Sequence, residues 1–484
     1  MDHAGIEPGT CARRMRYSLL VVRASGIGRR CTPLAVFALA VGSGCSPDGG
    51  KPSAPSSLDG TASFCGDGRV DPGEQCDDGN QDDADECLRT CFRPARWVPS
   101  DPHIHGRGCG VRLGPDELLR ESSERGIEVT AALIWGSGFA AERRYFTGND
   151  DPASGPGRLL HYDLEVSHFA ADRTGHLVLL GLYSIDFSAD PYVRPQSLIP
   201  VLSWALGQGP RVVAGMAHGQ FWPSDGGFPP PGRSCCVPWD FPPEAIRGRL
   251  TFLESERLSP GPPLDPGTEL LWRSVLNAGA RVALAGASDY PCIHDTLTDQ
   301  TPRTDVLLDG EVSYNAWLDA LRAGRTVLVR GRDHHLNLRV AGQPLGSEVS
   351  VGAGETLRLS VETVASDPVT VTILVNGAPK LSVPMEAGTR AAAATLSLTE
   401  SAWIAATSAW ATTSPIYVVV GGQPIRGPAE DICYLRLYMD YLSGLVRRGR
   451  LDLGSERRLA LDTYAAVARE LDVRFAEAGG TTCP

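Results

Sequence analysis

Ile127-Glu128-Val129-Thr130-Ala131-Ala132-Leu133-Ile134 is an almost unbroken apolar run, and its reading decides the fold. A strand that alternates apolar with polar has one wet face. A near-continuous run is what a strand buried on both faces requires, as in a parallel sheet covered by helices. Three further runs have the same character: His176-Leu177-Val178-Leu179-Leu180, Arg211-Val212-Val213-Ala214-Gly215-Met216 and Arg281-Val282-Ala283-Leu284-Ala285. Between and before them lie stretches with helical spacing, for example 115–125 and 268–278. Strand and helix alternating in this way predict an α/β domain over 96–335. Over 336–425 the texture changes to period-two segments, Leu357-Arg358-Leu359-Ser360-Val361 and Thr370-Val371-Thr372-Ile373-Leu374-Val375, the latter followed by Asn376-Gly377. That is a hairpin signature and predicts an antiparallel β-sandwich domain. Residues 426–484 read as two amphipathic helices, with Tyr434, Leu437, Tyr438, Tyr441 and Leu442 as an apolar stripe to which only packing is assigned.

The 484 residues are enough for two or three cores. A formal net charge of −12 argues against nucleic acid as a partner, since such binding needs a basic face. Thirteen cysteines point to an oxidising compartment. The first 45 residues read as an export signal: Arg13, Arg14, Arg16, Arg29 and Arg30, then Pro33-Leu34-Ala35-Val36-Phe37-Ala38-Leu39-Ala40-Val41, then Gly42-Ser43-Gly44-Cys45. The apolar core is too short to span a bilayer as a helix. A cysteine after small residues resembles a bacterial lipobox, although Gly42 departs from the usual aliphatic residue. The expectation is an exported lipoprotein held at the membrane through Cys45, with plain secretion as the alternative. Residues 46–64 form a Ser/Pro/Gly-rich tether. Over 65–92, Cys65-Gly66-Asp67-Gly68, Cys76-Asp77-Asp78-Gly79-Asn80, Cys87 and Cys91 resemble a Myxococcus-type cysteine-rich repeat. A segment that short cannot bury a core and must be stapled, most simply by two disulfides of undetermined pairing.

The chemistry is expected at strand ends. In Asp101-Pro102-His103-Ile104-His105 the two histidines are two residues apart, so on a strand both imidazoles reach one side. Glu165 closes Asp163-Leu164-Glu165, His218 closes Met216-Ala217-His218, Asp289 closes Ala287-Ser288-Asp289, and His176 opens its run. In barrel-type α/β folds the carboxyl ends of the strands converge on the face that carries the active site. Imidazole with carboxylate is the donor mixture of Zn²⁺, Mn²⁺ or Fe²⁺ sites. His103, His105, Glu165, His176, His218 and Asp289 are therefore the candidate metal ligands, with Glu254 a further residue able to face them. His161 and His168 are assigned core or surface roles, and His334 and His335 structural ones.

With these motifs stand Leu270-Leu271-Trp272-Arg273-Ser274-Val275-Leu276-Asn277-Ala278-Gly279-Ala280-Arg281 running into Gly286-Ala287-Ser288-Asp289, then Trp317-Leu318-Asp319-Ala320-Leu321-Arg322-Ala323-Gly324-Arg325-Thr326. In the β region, Trp403-Ile404-Ala405 and Thr413-Ser414-Pro415-Ile416-Tyr417 accompany them. Together they resemble the PHP-type metallohydrolases, in the branch named after the carbaryl hydrolases CehA and McbA, over roughly 96–450. The resemblance implies a distorted TIM-like barrel with one to three divalent cations on the six ligand positions. It implies hydrolysis of a small-molecule ester, phosphoester, amide or carbamate, with Asp289 and His218 as catalytic groups. Three departures stand against it. Where the family carries an Asp-His pair, Leu133-Ile134-Trp135-Gly136-Ser137-Gly138 has no ligand. Tyr290, Pro291 and Cys292 delay the next histidine to His294, and Ala411-Thr412-Thr413 stands where a β-domain histidine is usual. A smaller metal complement follows, or else a degenerate centre kept as a surface binding or scaffold protein. Substrate choice is expected in the loop 219–242, rich in Pro, Gly, Phe and Trp, which roofs the site. Among the remaining cysteines, Cys235 or Cys236 is expected to pair with Cys109 or Cys292, and Cys433 with Cys483.

Overall fold

The computed structural model describes residues 95–167, 174–187, 196–230, 236–256 and 264–483, with residues 66, 68–70, 76–80, 82, 87 and 89 of the cysteine-rich segment. The expected export signal (1–45), the tether (46–64) and His168 lie outside the described residues. No helix among the described residues is long and apolar enough to cross a membrane.

The first half of the chain lays down β1 (Arg96–Ile104), a short hairpin of β2 (Arg107–Gly108) and β3 (Val111–Arg112), and helix α1 (Pro115–Glu124). Then follow β4 (Val129–Ile134), α2 (Phe139–Glu142), β5 (Leu159–Val166), β6 (Leu177–Leu180), α3 (Leu198–Gly207) and β7 (Val213–Met216). After these come α4 (Phe241–Ile246), β8 (Phe252–Ser255), α5 (Pro266–Asn277), β9 (Ala283–Gly286), β10 (Arg303–Leu308), α6 (Tyr314–Arg322) and β11 (Thr326–Val329). The apolar runs become strands for the reason given above: each of β4, β6, β7 and β9 is buried along its whole length. β4 to β9 are consecutive neighbours in a 15-stranded mixed sheet, which continues from β4 through β1 to β10 and β11.

The chain is therefore mixed α/β. The sheet, however, is not the all-parallel one that four apolar runs suggest. β1, β4 and β5 run parallel, as do β7, β8 and β9. β6 is antiparallel to both its neighbours, β5 and β7. A short strand buried on both faces reads the same in either direction, so the apolar pattern cannot reveal its polarity. Nor is there a closed strand ladder of the TIM type among the described residues: the path ends at β9. β9 nevertheless folds back towards β10, with Gly286 N donating to Thr304 Oγ1 at 2.9 Å, and an isolated parallel bridge joins Ile104 to Tyr290.

Beyond β11 come β12 (His335–Val340), β13 (Glu348–Val351), β14 (Thr356–Ala365), β15 (Val369–Val375), β16 (Ala378–Met385), β17 (Gly388–Ser397), β18 (Ala402–Thr407), β19 (Ala411–Thr413) and β20 (Ile416–Val420). The hairpin is where Asn376-Gly377 predicts it. β15 and β16 pair antiparallel with Val375 opposite Ala378, and Asn376 and Gly377 take φ of 49° and 83°, as a two-residue hairpin turn demands. The three-stranded sheet β12-β14-β17 shares one apolar core with strands of the large sheet, through Leu338, Leu359, Ile373, Ile404 and Val418. These strands are also continuous with the first half, because β19 pairs with β11.

Two helices, α7 (Ala429–Arg447) and α8 (Arg457–Glu477), end the fold, and Cys433–Cys483 is a disulfide. The tyrosine stripe of α7 does more than pack. Trp222 Nε1 donates to Tyr434 Oη, while Tyr434, Tyr438 and Tyr441 hydroxyls donate to the carbonyls of Gly227, Trp239 and Pro229. The loop after β7 is thus held on α7. Beneath α8, Tyr464 Oη donates to the fully buried Asp240 at 2.7 Å. Burial, reinforced by Glu244, raises the Asp240 carboxyl to about 7 against the pull of Tyr464. A carboxyl whose folded pKa lies above its unfolded value stabilises the fold in acid and loses that contribution as pH rises through the folded pKa. Asp240→Asn, which keeps an acceptor for Tyr464 without the charge, should therefore unfold in denaturant with a smaller loss of stability between pH 5 and 8 than the natural chain. The expected difference is on the order of 2 kcal/mol; equal losses in the two proteins would show that Asp240 is not the group responsible.

Candidate metal centre

β1, β5, β7, β8 and β9 deliver their ends, and β6 its beginning, to one edge of the sheet. The antiparallel direction of β6 is why His176, which opens a strand, joins residues that close theirs. Six side chains meet there: His103, His105, Glu165, His176, His218 and Asp289, none more than 6% exposed. Two of them, His218 (φ 65°) and Asp289 (φ 42°), occupy the left-handed region. For a side chain with Cβ this costs energy and persists only where the surroundings enforce it, which is common at functional sites. Gly219 follows because a Cβ there would come within 2.8 Å of the Glu254 carbonyl and of Thr268 Oγ1.

The donors fall into two groups. In the first, His103 Nε2 lies 3.2 Å from His105 Nε2, 3.7 Å from Glu165 Oε2 and 3.5 Å from Asp289 Oδ1. His105 Nε2 lies 3.3 Å from Glu165 Oε2 and 3.1 Å from Asp289 Oδ1. A tetrahedral ion with bonds of about 2.0–2.2 Å has ligand–ligand edges of about 3.3–3.6 Å, so these separations fit one ion. In the second group His176 Nδ1 lies 2.9 Å from both His218 Nε2 and Glu165 Oε1. His218 Nε2 is 4.0 Å from Glu165 Oε1 and 3.9 Å from Asp289 Oδ2. Glu165 and Asp289 thus present one oxygen to each group.

The tautomers test whether a cation belongs here. His103 Nδ1 faces Glu254 Oε2 at 2.9 Å, His105 Nδ1 faces the Leu133 carbonyl at 2.7 Å, and His218 Nδ1 faces Glu256 Oε2 at 3.2 Å. Each partner is an acceptor, so each Nδ1 carries the proton and each Nε2 turns a lone pair inward. His103 and His105 then aim two lone pairs at one another across 3.2 Å, beside the buried Asp289 Oδ1, which has no hydrogen-bond donor. Only a proton or a metal ion makes that arrangement favourable. The electrostatics agree. Burial is the largest influence on both imidazoles and pushes them down, yet Asp289, Glu254 and Glu165 hold His103 well above its usual range, and Asp289 and Glu165 raise His105 to about 9. Burial likewise opposes ionisation of Glu165, but His103 and His176 draw it well below the usual carboxylate range.

Two carboxylates support the histidines from behind. Of these, Glu254 was a candidate from the sequence and Glu256 was missed, although two acids spaced by two at the end of an apolar strand carry the same signal as the two histidines of β1. Burial raises Glu254 to about 8; Glu256, where His218 and Gln220 outweigh burial, falls to about 2. Asp101 was also missed. Its Oδ1 accepts from Ser288 N at 3.1 Å and its Oδ2 meets Arg125 at 3.2 Å, so it joins the ends of β1 and β9. His161 lies elsewhere, stacked on Tyr314 and paired with Asp150. His334 and His335 contact Trp410 and Asp305. His294 bonds the Glu256 carbonyl.

The expected cysteine pairing needs correction. Neither Cys235 nor Cys236 pairs with Cys109 or Cys292: those two are joined to each other, because the bridge from Ile104 to Tyr290 brings their loops together. Cys236 lies near His176 and His218 but is itself disulfide-bonded and has no thiolate to offer a metal. Of the loop 219–242, Phe221 stands against His218 at 5.7 Å between ring centres, while Trp222 and Phe228 turn away onto the tyrosines of α7. Cys109–Cys292 and Cys433–Cys483, with Cys76–Cys87 in the cysteine-rich segment, suit an oxidising, exported environment. Comparison with family models, curated proteins and solved structures gives no match.

Because His103 and His105 hold protons well above their usual range, a metal ion must displace them. The sign follows: affinity rises with pH. Zinc titrations against a chromophoric chelator should show Kd falling roughly tenfold per pH unit for each proton displaced, between pH 6 and 8. A pH-independent Kd would mean that these imidazoles are not the ligands.

Proposed function

We propose that the chain is a metal-dependent hydrolase of the PHP type, close to the CehA/McbA branch, acting on a small ester, phosphoester, amide or carbamate. The observation that carries this reading is the pair of donor groups bridged by Glu165 and Asp289. His103, His105, Glu165 and Asp289 would hold one divalent cation, and His176, His218, Glu165 and Asp289 a second. Zn²⁺, Mn²⁺ and Fe²⁺ all suit imidazole with carboxylate. A two-ion complement, rather than three, is favoured because Trp135, which follows β4 where the family carries its Asp-His pair, lies 5.2 Å from the His105 ring. In this reading the curled sheet corresponds to the family's distorted barrel, and the chain is exported and lipid-anchored at Cys45.

When bound, the cations supply acidified water and withdraw charge from the bond to be cleaved. The chain's own residues do the rest. Glu254 and Glu256 fix the rings of His103 and His218 through Nδ1 and so orient each Nε2 inward. Asp289 Oδ2 accepts the proton that leaves the attacking water. His218 Nε2, 3.9 Å from it, would hold a cation beside the space in which negative charge develops. Phe221 limits water at the side of His218.

Elemental analysis tests the reading directly. The natural chain should hold about two equivalents of metal, and His103→Ala/His105→Ala at least one fewer, with hydrolysis of activated carboxylic and phosphate esters falling by about 10³-fold or more. Glu256→Gln, which keeps a hydrogen-bonding group behind His218, should retain metal but lose about 10- to 100-fold in activity. Less than one equivalent in a folded natural chain would overturn the hydrolase and leave the barrel-like surface protein as the better account.

A further inference from the structure

The hairpin β2–β3 follows directly on His105, Asp289 lies in the turn after β9, and a covalent bond joins the two segments. Cys109 lies four residues after His105 and Cys292 three after Asp289. Their Cα atoms are 5.2 Å apart across a sequence separation of 183. His105 Nε2 and Asp289 Oδ1, 3.1 Å apart, form the shortest His-to-carboxylate edge of the first donor group. Each loop is stiff on its own side. The hairpin closes through Leu113 N donating to the Gly106 carbonyl at 2.7 Å and through pairing of Arg107 with Arg112. The turn closes through Cys292 N and Ile293 N donating to the Asp289 carbonyl at 2.7 and 2.9 Å. Between the two, no regular ladder runs: the Ile104–Tyr290 bridge carries His105 N to the Tyr290 carbonyl and Asp289 N to the His103 carbonyl. Both Cys109 (φ 47°) and Asp289 (φ 42°) are left-handed, conformations that relax unless something holds them.

We propose that Cys109–Cys292 is a positioning strap for the metal centre, fixing the spacing of the His105 and Asp289 donors and so setting how tightly the ion between them is held. The inference rests on the two-ion reading above and adds to it a dependence of metal affinity on one particular disulfide. Chain-closing entropy grows slowly with loop length, so removing Cys433–Cys483, whose segments carry no donor, costs comparable stability and serves as the control.

The test is zinc affinity of the full chain, by chelator competition, in Cys109→Ser/Cys292→Ser and Cys433→Ser/Cys483→Ser, with unfolding followed on each. The expected result is a Kd at least tenfold weaker for one zinc in the first variant, and within twofold of the natural value in the second. Equal affinities in the natural chain and the first variant overturn the strap while leaving the metal reading intact. Less than one zinc bound by the natural chain overturns both. Should the first variant fail to fold, the natural chain is treated with a water-soluble phosphine. The phosphine takes oxygen from water to become its oxide and leaves two thiols at Cys109, which is exposed, and Cys292. Alkylation and mass mapping identify the opened bond, and an unchanged zinc Kd once it is open again overturns the proposal.

Discussion

Four carboxylates and four imidazoles are withdrawn from water at one edge of a sheet, and that charge has to be balanced. Ionised carboxylates in a protein interior are tolerated only when paired. Here they are paired with histidines alone: no arginine or lysine forms an ion pair with Glu165, Glu254, Glu256 or Asp289 among the described residues. Guanidinium groups would have locked the carboxylates permanently. Imidazole can release its proton at neutral pH, so a histidine-balanced cluster is one that can exchange protons for metal ions. The surrounding fold follows from keeping this cluster assembled.

Assembly is a matter of topology. Six strands must deliver side chains to one edge, yet in five of them the donor or its supporting acid is at the end of the strand and in one it is at the start. Reversing β6 reconciles these positions. It also removes one crossover helix, since an antiparallel neighbour can be reached by a short connection. The remaining freedom lies in the loops that follow the strands. Asp101, joining the ends of β1 and β9, restrains the donors there, against the tendency of the left-handed backbone at His218 and Asp289 to relax. Farther out, the hydroxyls of Tyr434, Tyr438 and Tyr441 hold the loop after His218 on α7.

Much of this was legible in the sequence, for identifiable reasons. Burial on both faces leaves an apolar run, so β4, β6, β7 and β9 were visible within two residues of their ends. A two-residue turn requires φ > 0 twice, so Asn376-Gly377 marked its hairpin. Spacing by two placed His103 and His105 together. Strand direction was not legible, because period and hydrophobicity are the same read either way. The pairing of Cys109 with Cys292 was not legible either, since it depends on a single isolated bridge between segments remote in sequence. Glu256 escaped notice because its role is indirect: it fixes His218 through Nδ1 and belongs to neither donor group.

The supporting acids explain why the two donor groups need not behave alike. Glu254 and Glu256 sit two residues apart on one strand end and repel each other, so both cannot ionise without cost. Burial leaves Glu254 able to keep its proton to about 8, whereas His218 and Gln220 keep Glu256 charged down to about 2. A carboxylate behind an imidazole makes that imidazole a better electron donor, and a carboxylic acid does so less. His218 is therefore backed by a full charge at neutral pH and His103 by one that is shared with a proton. In the two-ion reading, filling the first donor group would draw His103 towards its cation and favour ionisation of Glu254. That would bring a second negative charge beside Glu256 and strengthen the pull on a cation at His218. Coupling between the two groups would thus arise from one strand end, without any change in the backbone.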